Sequence, residues 1–293
     1  MPFRLILFTL AAALVLGPAQ ASAEERRARA GEVDTEHAFG NTTGADTEEP
    51  GAFVPHLVLP TRLGKTGGTF VLNTPSLELK YGVVEGFSAS LSLRGLAAHV
   101  RGVPGIADVS GGAVTGVGLQ GRYRVLDRAT APIGFTIQAG ITTDHRDITL
   151  GRGGRNDGFD FRLAFDAEPV FDQWIVAANV IGTSGRSRPA GGPDLQFSSL
   201  TGLALASTFR VAPNVWIGGE AQYLRSYAGS TFGRFEGDAL SIGPTIYFVN
   251  GPGWVTLSWT AQVAGREIGG SNRGLNLRDF DRHQVLLVIG RRL

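Results

Sequence analysis

Two short stretches join carboxylates to imidazole, a set of side chains that can ligate a divalent metal or pass a proton. They are Asp144-His145-Arg146-Asp147 and Asp279-Phe280-Asp281-Arg282-His283. Neither contains a histidine pair at a ligand spacing such as H-x-x-x-H. Both fall in polar loops, where solvated charge is ordinary. A serine–histidine lipid hydrolase would place Ser close behind His near a strand end. His99 is followed by Val100-Arg101-Gly102 and His145 by Arg146-Asp147-Ile148, so neither supplies that arrangement. Gly116-Val117-Gly118-Leu119-Gln120-Gly121 matches G-x-G-x-x-G. The dinucleotide fingerprint needs a strand–turn–helix context, and here a strand pattern continues through Tyr123 and Val125. The chain has no cysteine, which removes thiolate metal sites, cysteine catalysis and disulfides together. No catalytic, cofactor-binding or metal-ligating residue is assigned, no cofactor is implied, and the chain is read as no enzyme.

A second set of polar residues is spaced for another task. Glu78, Lys80, Arg94, Gln120, Arg122, Arg124, Gln138, Asp160, Arg162, Asp166, Glu168, Glu220, Gln222 and Gln262 occupy alternate positions of strand-like segments. Residues two apart on a strand share a face, so these side chains line one side of a sheet. Both signs occur on adjoining segments. Arg122 and Arg124 are expected to pair across a lumen with Asp160, Asp166 and Glu168, partly closing it.

The elements that must position them are written in the same alternation. Phe87, Ala89, Leu91 and Leu93 oppose Ser88, Ser90, Ser92 and Arg94. Phe159, Phe161, Leu163, Phe165 and Ala167 oppose Asp160, Arg162, Ala164, Asp166 and Glu168. A strand with one apolar and one wet face suits a transmembrane antiparallel up-and-down β-barrel, with lipid outside and a polar lumen. Strands are expected near 69–83, 87–97, 113–126, 132–144, 158–169, 174–183, 199–211, 215–227, 238–249, 254–265 and 283–292. Tight turns alternate with long polar loops near 98–112, 145–157, 184–198, 228–237 and 266–282, the asymmetry of short periplasmic turns and longer outer loops. The strand at 69–83 runs into a short turn, so one strand must rise before it. Phe53 to Pro60 is the candidate, and it brings the expected number to twelve. Tyr81, Phe87, Tyr123, Phe171, Trp174, Trp216, Tyr223, Phe248 and Trp254 near strand ends are expected to form interface girdles. A soluble β-sandwich shares the alternation, but not these strand lengths or alternating loops.

The first residues read as a signal peptide over 1–23: Arg4, an apolar stretch from Leu5 to Leu16, and the small-residue site Ala21-Ser22-Ala23. That places the mature protein in a bacterial outer membrane, with membrane lipid, the barrel-assembly machinery and a small-molecule solute as partners. Basic and acidic residues nearly balance, 27 against 26, with no clustered basic face, so nucleic acid is no partner. Residues 24–50 are polar and lack large apolar anchors, which predicts a disordered periplasmic segment before a barrel over 51–293.

The region from Phe53 to Leu293 resembles the Gram-negative outer-membrane barrels of the MetA-pathway-of-phenol-degradation transporter type. The resemblance is carried by Thr74-Pro75-Ser76-Leu77-Glu78-Leu79-Lys80-Tyr81-Gly82, the tight turn into Gly86-Phe87, the regular hairpins and the final His-Gln-Val-Leu-Leu-Val-Ile-Gly strand. It implies a porin-like channel for passive transport of a small, hydrophobic or aromatic molecule. It also suggests comparison with fatty-acid channels, whose lumen holds an N-terminal hatch; residues 24–50 do not look like one. The alternative is a structural or surface-interaction barrel with a closed lumen. An outer-membrane lipid hydrolase is the least favoured reading.

Overall fold

The computed structural model describes residues 33–147, 152–189, 195–269 and 274–293; the expected signal peptide lies outside the described residues. The described residues form thirteen strands: β1 (Phe53–Leu63), β2 (Thr69–Asn73), β3 (Ser76–Val84), β4 (Phe87–Arg101), β5 (Val109–Leu126), β6 (Gly134–Asp147), β7 (Arg152–Val170), β8 (Trp174–Pro189), β9 (Gln196–Ala212), β10 (Val215–Ala228), β11 (Arg234–Asn250), β12 (Gly253–Glu267) and β13 (His283–Arg291). All pairings are antiparallel, from β3 onward each strand pairs with the next in sequence, and β13 pairs with β1 from His56↔Gly290 to Leu63↔His283, which closes the sheet. Closure removes both free edges.

β2 and β3 both lie between β1 and β4, so they are one barrel position and the barrel has twelve. The segment expected as a single strand over 69–83 is interrupted at Thr74-Pro75. Proline has no N–H for the ladder. The break is stitched by Thr74 N–H donating to Pro60 O at 3.0 Å and Gly95 N–H donating to Pro75 O at 2.8 Å. The segment 53–60 is indeed the first strand, and it runs on to Leu63. The expected outer loops are shorter than predicted, because the strands extend past the apolar belt as polar hairpins. β5 begins at Val109 and β8 continues to Pro189.

Facing follows the pleat. Leu91 and Leu93 are 54% and 50% exposed, whereas Ser88 and Ser90 are 1% and 7% exposed. Leu119, Ile141, Phe159, Leu205, Ile246 and Leu257 also lie on the outer apolar surface. Trp216, Tyr247 and Trp254 do the opposite. They point inward and are fully or nearly buried, so Trp216 and Trp254 are not girdle residues. What buries them is not another strand but the N-terminal segment.

Candidate functional site

Residues 33–50 enter the barrel as a hairpin and fill the half of the lumen next to the short turns. This corrects the expectation of a disordered segment for every described residue from Val33 onward. Val33, Ala38 and Phe39 are buried against Val54, Ile175, Ala177, Ala206, Trp216, Tyr247 and Trp254. These few anchors, of which Phe39 is the largest, suffice because the barrel supplies the rest of the apolar surface. The His37 ring stacks on Trp254 with centroids 4.5 Å apart.

The two arms of the hairpin are tied together and to the wall. Gly44 N–H donates to Thr35 O at 2.8 Å, and Thr43 Oγ1 donates to Glu36 O at 2.9 Å. Gly44 is glycine because a Cβ there would overlap Thr35 and come within 2.7 Å of Asp166 Oδ2. Lys80 Nζ lies 2.6 Å from Glu36 Oε1 and 3.7 Å from Glu48 Oε1, bridging both arms. Arg128 Nη1 bridges the hairpin to the wall, 2.8 Å from Asp46 and 3.0 Å from Asp166. Arg292 Nη2, at the end of the chain, reaches Asp34 at 3.7 Å and Glu48 at 3.3 Å.

Arg122 donates from Nε to Asp46 O at 2.8 Å, from Nη1 to Gln138 Oε1 at 2.9 Å, and from Nη2 to Gly44 O. Asp166 accepts from Ala45 N–H at 2.8 Å and from Thr35 Oγ1. At the apex, Glu220 accepts from Asn41 N–H at 2.7 Å and Thr42 N–H at 3.1 Å, and from Ser258 Oγ. Arg162 donates to Asn41 O and to Asn179 Oδ1, both at 3.1 Å. Acidic side chains of the hairpin thus meet cations of the wall. Wall carboxylates in turn accept from the hairpin's backbone.

Of the other expected lumen residues, Glu78 pairs with His56 at 3.2 Å. Arg94 pairs with Asp144 at 3.2 Å, and Asp144 also accepts from Thr115 Oγ1 at 2.8 Å. Gln120 lies across the ladder from Ser90 and Gly140, and Gly140 in turn from Asp160. Gln222 lies across the ladder from Ala204 and Ser241. Gln262 accepts from Asn276 N–H at 2.8 Å and donates back to Asn276 O at 3.0 Å. Arg124 and Glu168 are not in mid-lumen. Arg124 binds Glu85 and Asp127 at a turn, and Glu168 accepts from Asp172 N–H at another. The expected pairing of Arg122 with Asp160, Asp166 and Glu168 across an empty lumen is replaced by pairing with the hairpin.

The opposite half of the lumen is covered by the described part of the β12–β13 connection. Asn276, Leu277, Phe280 and Asp281 are buried there. Asp281 is held by Arg62 and by Lys65 Nζ at 3.2 Å. Asp144 and Asp281, expected as solvated loop charges, are therefore buried and paired. Between hairpin apex and connection lies a cavity of about 320 Å³, with Asn41 and Asp279 among its lining and walls that include Pro60, Leu200, Leu224, Phe280 and Leu286. Alternation identifies the wall residues of this site. Ser258 shares the alternating face of Thr256, Thr260 and Gln262, whereas the hairpin, Arg128, Arg292 and Asn179 carry no comparable sequence signal.

Residues 31–293 match a family described as "Family of unknown function (DUF6662)". The chain is similar in structure to the COG4313 outer membrane channel from Pseudomonas putida F1, at 10% identity, covering 85% of this chain and 98% of that chain, with a TM-score of 0.54. More distant are the NanC porin, at 11% identity, 80% and 97% coverage and a TM-score of 0.45, and the CymD monoaromatic hydrocarbon channel, at 11% identity, 83% and 88% coverage and a TM-score of 0.41. A search of the curated proteins finds no match.

Proposed function

We propose that this chain, which belongs to the family of unknown function DUF6662, is a bacterial outer-membrane channel for passive transport of a small molecule, closed at rest by its own N-terminal hairpin. The observation that carries this reading is the hairpin itself. It is a separate segment inside a closed barrel, joined to the wall by side-chain and backbone polar contacts and a small apolar cluster, and outside the ladder that closes the sheet. A twelve-stranded barrel without such an insert has a wider lumen than the filled eight-stranded barrels. The solute suited to the cavity is small, with an apolar body. Pro60, Leu200, Leu224, Phe280, Val285 and Leu286 supply an apolar wall for that body, and Arg62, Asp279 and Asp281 are among the polar residues that make up the rest of the lining and can hold a polar end. The resemblance to the MetA-pathway type supports the same class, a hydrophobic or aromatic compound.

The test is conductance of the refolded mature chain in a planar bilayer, beside a variant lacking residues 33–50. Wild type is expected to show small, intermittent currents and the deletion large, steady ones. Liposome swelling should report faster entry of small solutes through the deletion. The buried ion pairs also favour the alternative of a structural barrel that stays shut. A deletion variant that folds with heat-modifiable migration, yet passes neither ions nor solutes, would sink the channel reading and leave that alternative.

A further inference from the structure

Across β7 and β8 the ladder places Arg155 directly opposite Arg188, and Asp157 opposite Arg186. Like charges directly opposed on one face destabilise a sheet, with Cβ atoms about 5 Å apart. Asp157 serves two of the three guanidinium groups. Its carboxylate lies 3.1 Å from Arg155 Nε and 2.9 Å from Arg186 Nε, and it also accepts from Thr143 Oγ1 at 2.8 Å. Arg188 is exposed and has no ion pair among the described residues. Among the described residues, three cations against one carboxylate give the patch an excess of two positive charges.

The height of the patch decides what meets it. On β7 the outward apolar positions are Phe165, Leu163, Phe161 and Phe159, and Phe159 stands eleven positions from the turn-side end at Val170. A tilted membrane strand spans the hydrocarbon with about 9–11 residues. Asp157 and Arg155 are the next outward positions. On β6, Thr143 follows Ile141 at the same level, opposite Asp157. Arg186 therefore stands one outward position beyond the apolar belt and Arg155 and Arg188 two, at headgroup depth, on the side away from the short turns.

We propose that this face of β7 and β8 binds the phosphate of an anionic glycolipid in the outer leaflet. Guanidinium groups suit phosphate oxygens, which accept forked charge-assisted hydrogen bonds. Phe159 and Phe161 directly below offer the acyl chains an apolar wall. A phosphate between Arg155 and Arg188 would relieve their repulsion. This rests on the reading of the barrel as an outer-membrane protein, but not on whether it conducts.

The experiment measures binding of diphosphoryl lipid A to the full mature chain, folded in detergent, by native mass spectrometry. Wild type and Arg234→Gln, a distant exposed control, should bind. Arg155→Gln with Arg188→Gln should bind at least ten-fold more weakly while keeping heat-modifiable migration. The proposal is overturned if the double variant binds like wild type, if dephosphorylated lipid A binds as well, or if an equal concentration of inorganic phosphate displaces the lipid. Weak lipid binding by a conducting wild type overturns this proposal alone. A wild type that is water-soluble without detergent overturns the membrane reading with it.

Discussion

Lys80 on β3 holds Glu36 of the inner hairpin at 2.6 Å, and its own exposure is only 3%. A buried pair of this kind matters most when one partner is removed, because the other charge is left in a poor solvent. Lys80→Met should therefore weaken hairpin docking by about 3 kcal/mol, near the lower end for such pairs because Arg122 still stands 3.7 Å from Glu36. That corresponds to about a 100-fold shift toward the open state. Single-channel open probability reads it directly; an unchanged open probability would mean that Lys80 does not hold the hairpin.

Glycine offers a perturbation that leaves charge untouched. A Cβ at Gly44 would overlap Thr35 and crowd Asp166. Gly44→Val should expel the hairpin and raise conductance, the outcome also expected of deleting 33–50, without lowering barrel stability in urea. Loss of the folded barrel instead would make the hairpin a folding core rather than an insert.

Facing can be tested with arginine. Leu91→Arg puts a charge on the lipid-facing surface and should cost about 2–4 kcal/mol near the midplane. Gln120→Arg places the same group on the inner face, beside Asp160, and should cost much less. Ser90 is a poorer control than its alternation suggests, because it is buried opposite Lys80. Unfolding midpoints in lipid vesicles distinguish the two; equal penalties would contradict the observed orientation.

Docking should also depend on pH. Burial raises the Glu36 and Asp46 carboxyls, but Arg122 and Lys80 outweigh it at Glu36 and Arg128 outweighs it at Asp46, so both are held below the usual range. Groups held low stabilise the docked state above about pH 4 and lose that contribution as pH falls. Burial, then Lys80, keep His37 neutral and well below its ordinary value, so its contribution is lost below about pH 6.5. Asp34 has the opposite sign. Burial, then Glu48 and Glu36, push it up to about 8, so its proton favours docking as pH falls from about 8 toward 4. Closure is therefore expected to persist in mildly acidic solution and to fail below about pH 4. Conductance recorded from pH 8 to pH 3.5 checks this, and steady closure throughout would contradict it.

Local rules made the wall legible in the sequence. Ser88, Ser90 and Ser92 face in, and Leu91 and Leu93 face out, because the pleat alternates sides regardless of what lies beyond. The same parity placed Lys80, Arg122, Asp166 and Glu220 on one surface, and the short turn after 69–83, which calls for a rising strand before it, found a first strand over 53–60 despite its prolines, three residues short of its end at Leu63. Strand ends were less legible, since polar hairpins above the belt look like loops. Trp216 and Trp254 were misplaced because an aromatic residue near a turn suits a lipid interface or a lumen equally.

Only the tertiary structure decided what fills that lumen. Residues 33–50 are polar, and a polar segment alone predicts solvent exposure. Its partners are remote: Thr35 meets Asp166 across 131 positions, and Asn41 meets Glu220 across 179. Barrel closure brings those carboxylates and the cations Lys80, Arg122 and Arg128 around one channel, where each polar group of the hairpin costs little to bury because a partner is already in place. Hydrophobic patterning records which side of a strand faces the lumen. It carries no record of a polar segment whose burial depends on charges assembled from the whole length of the chain.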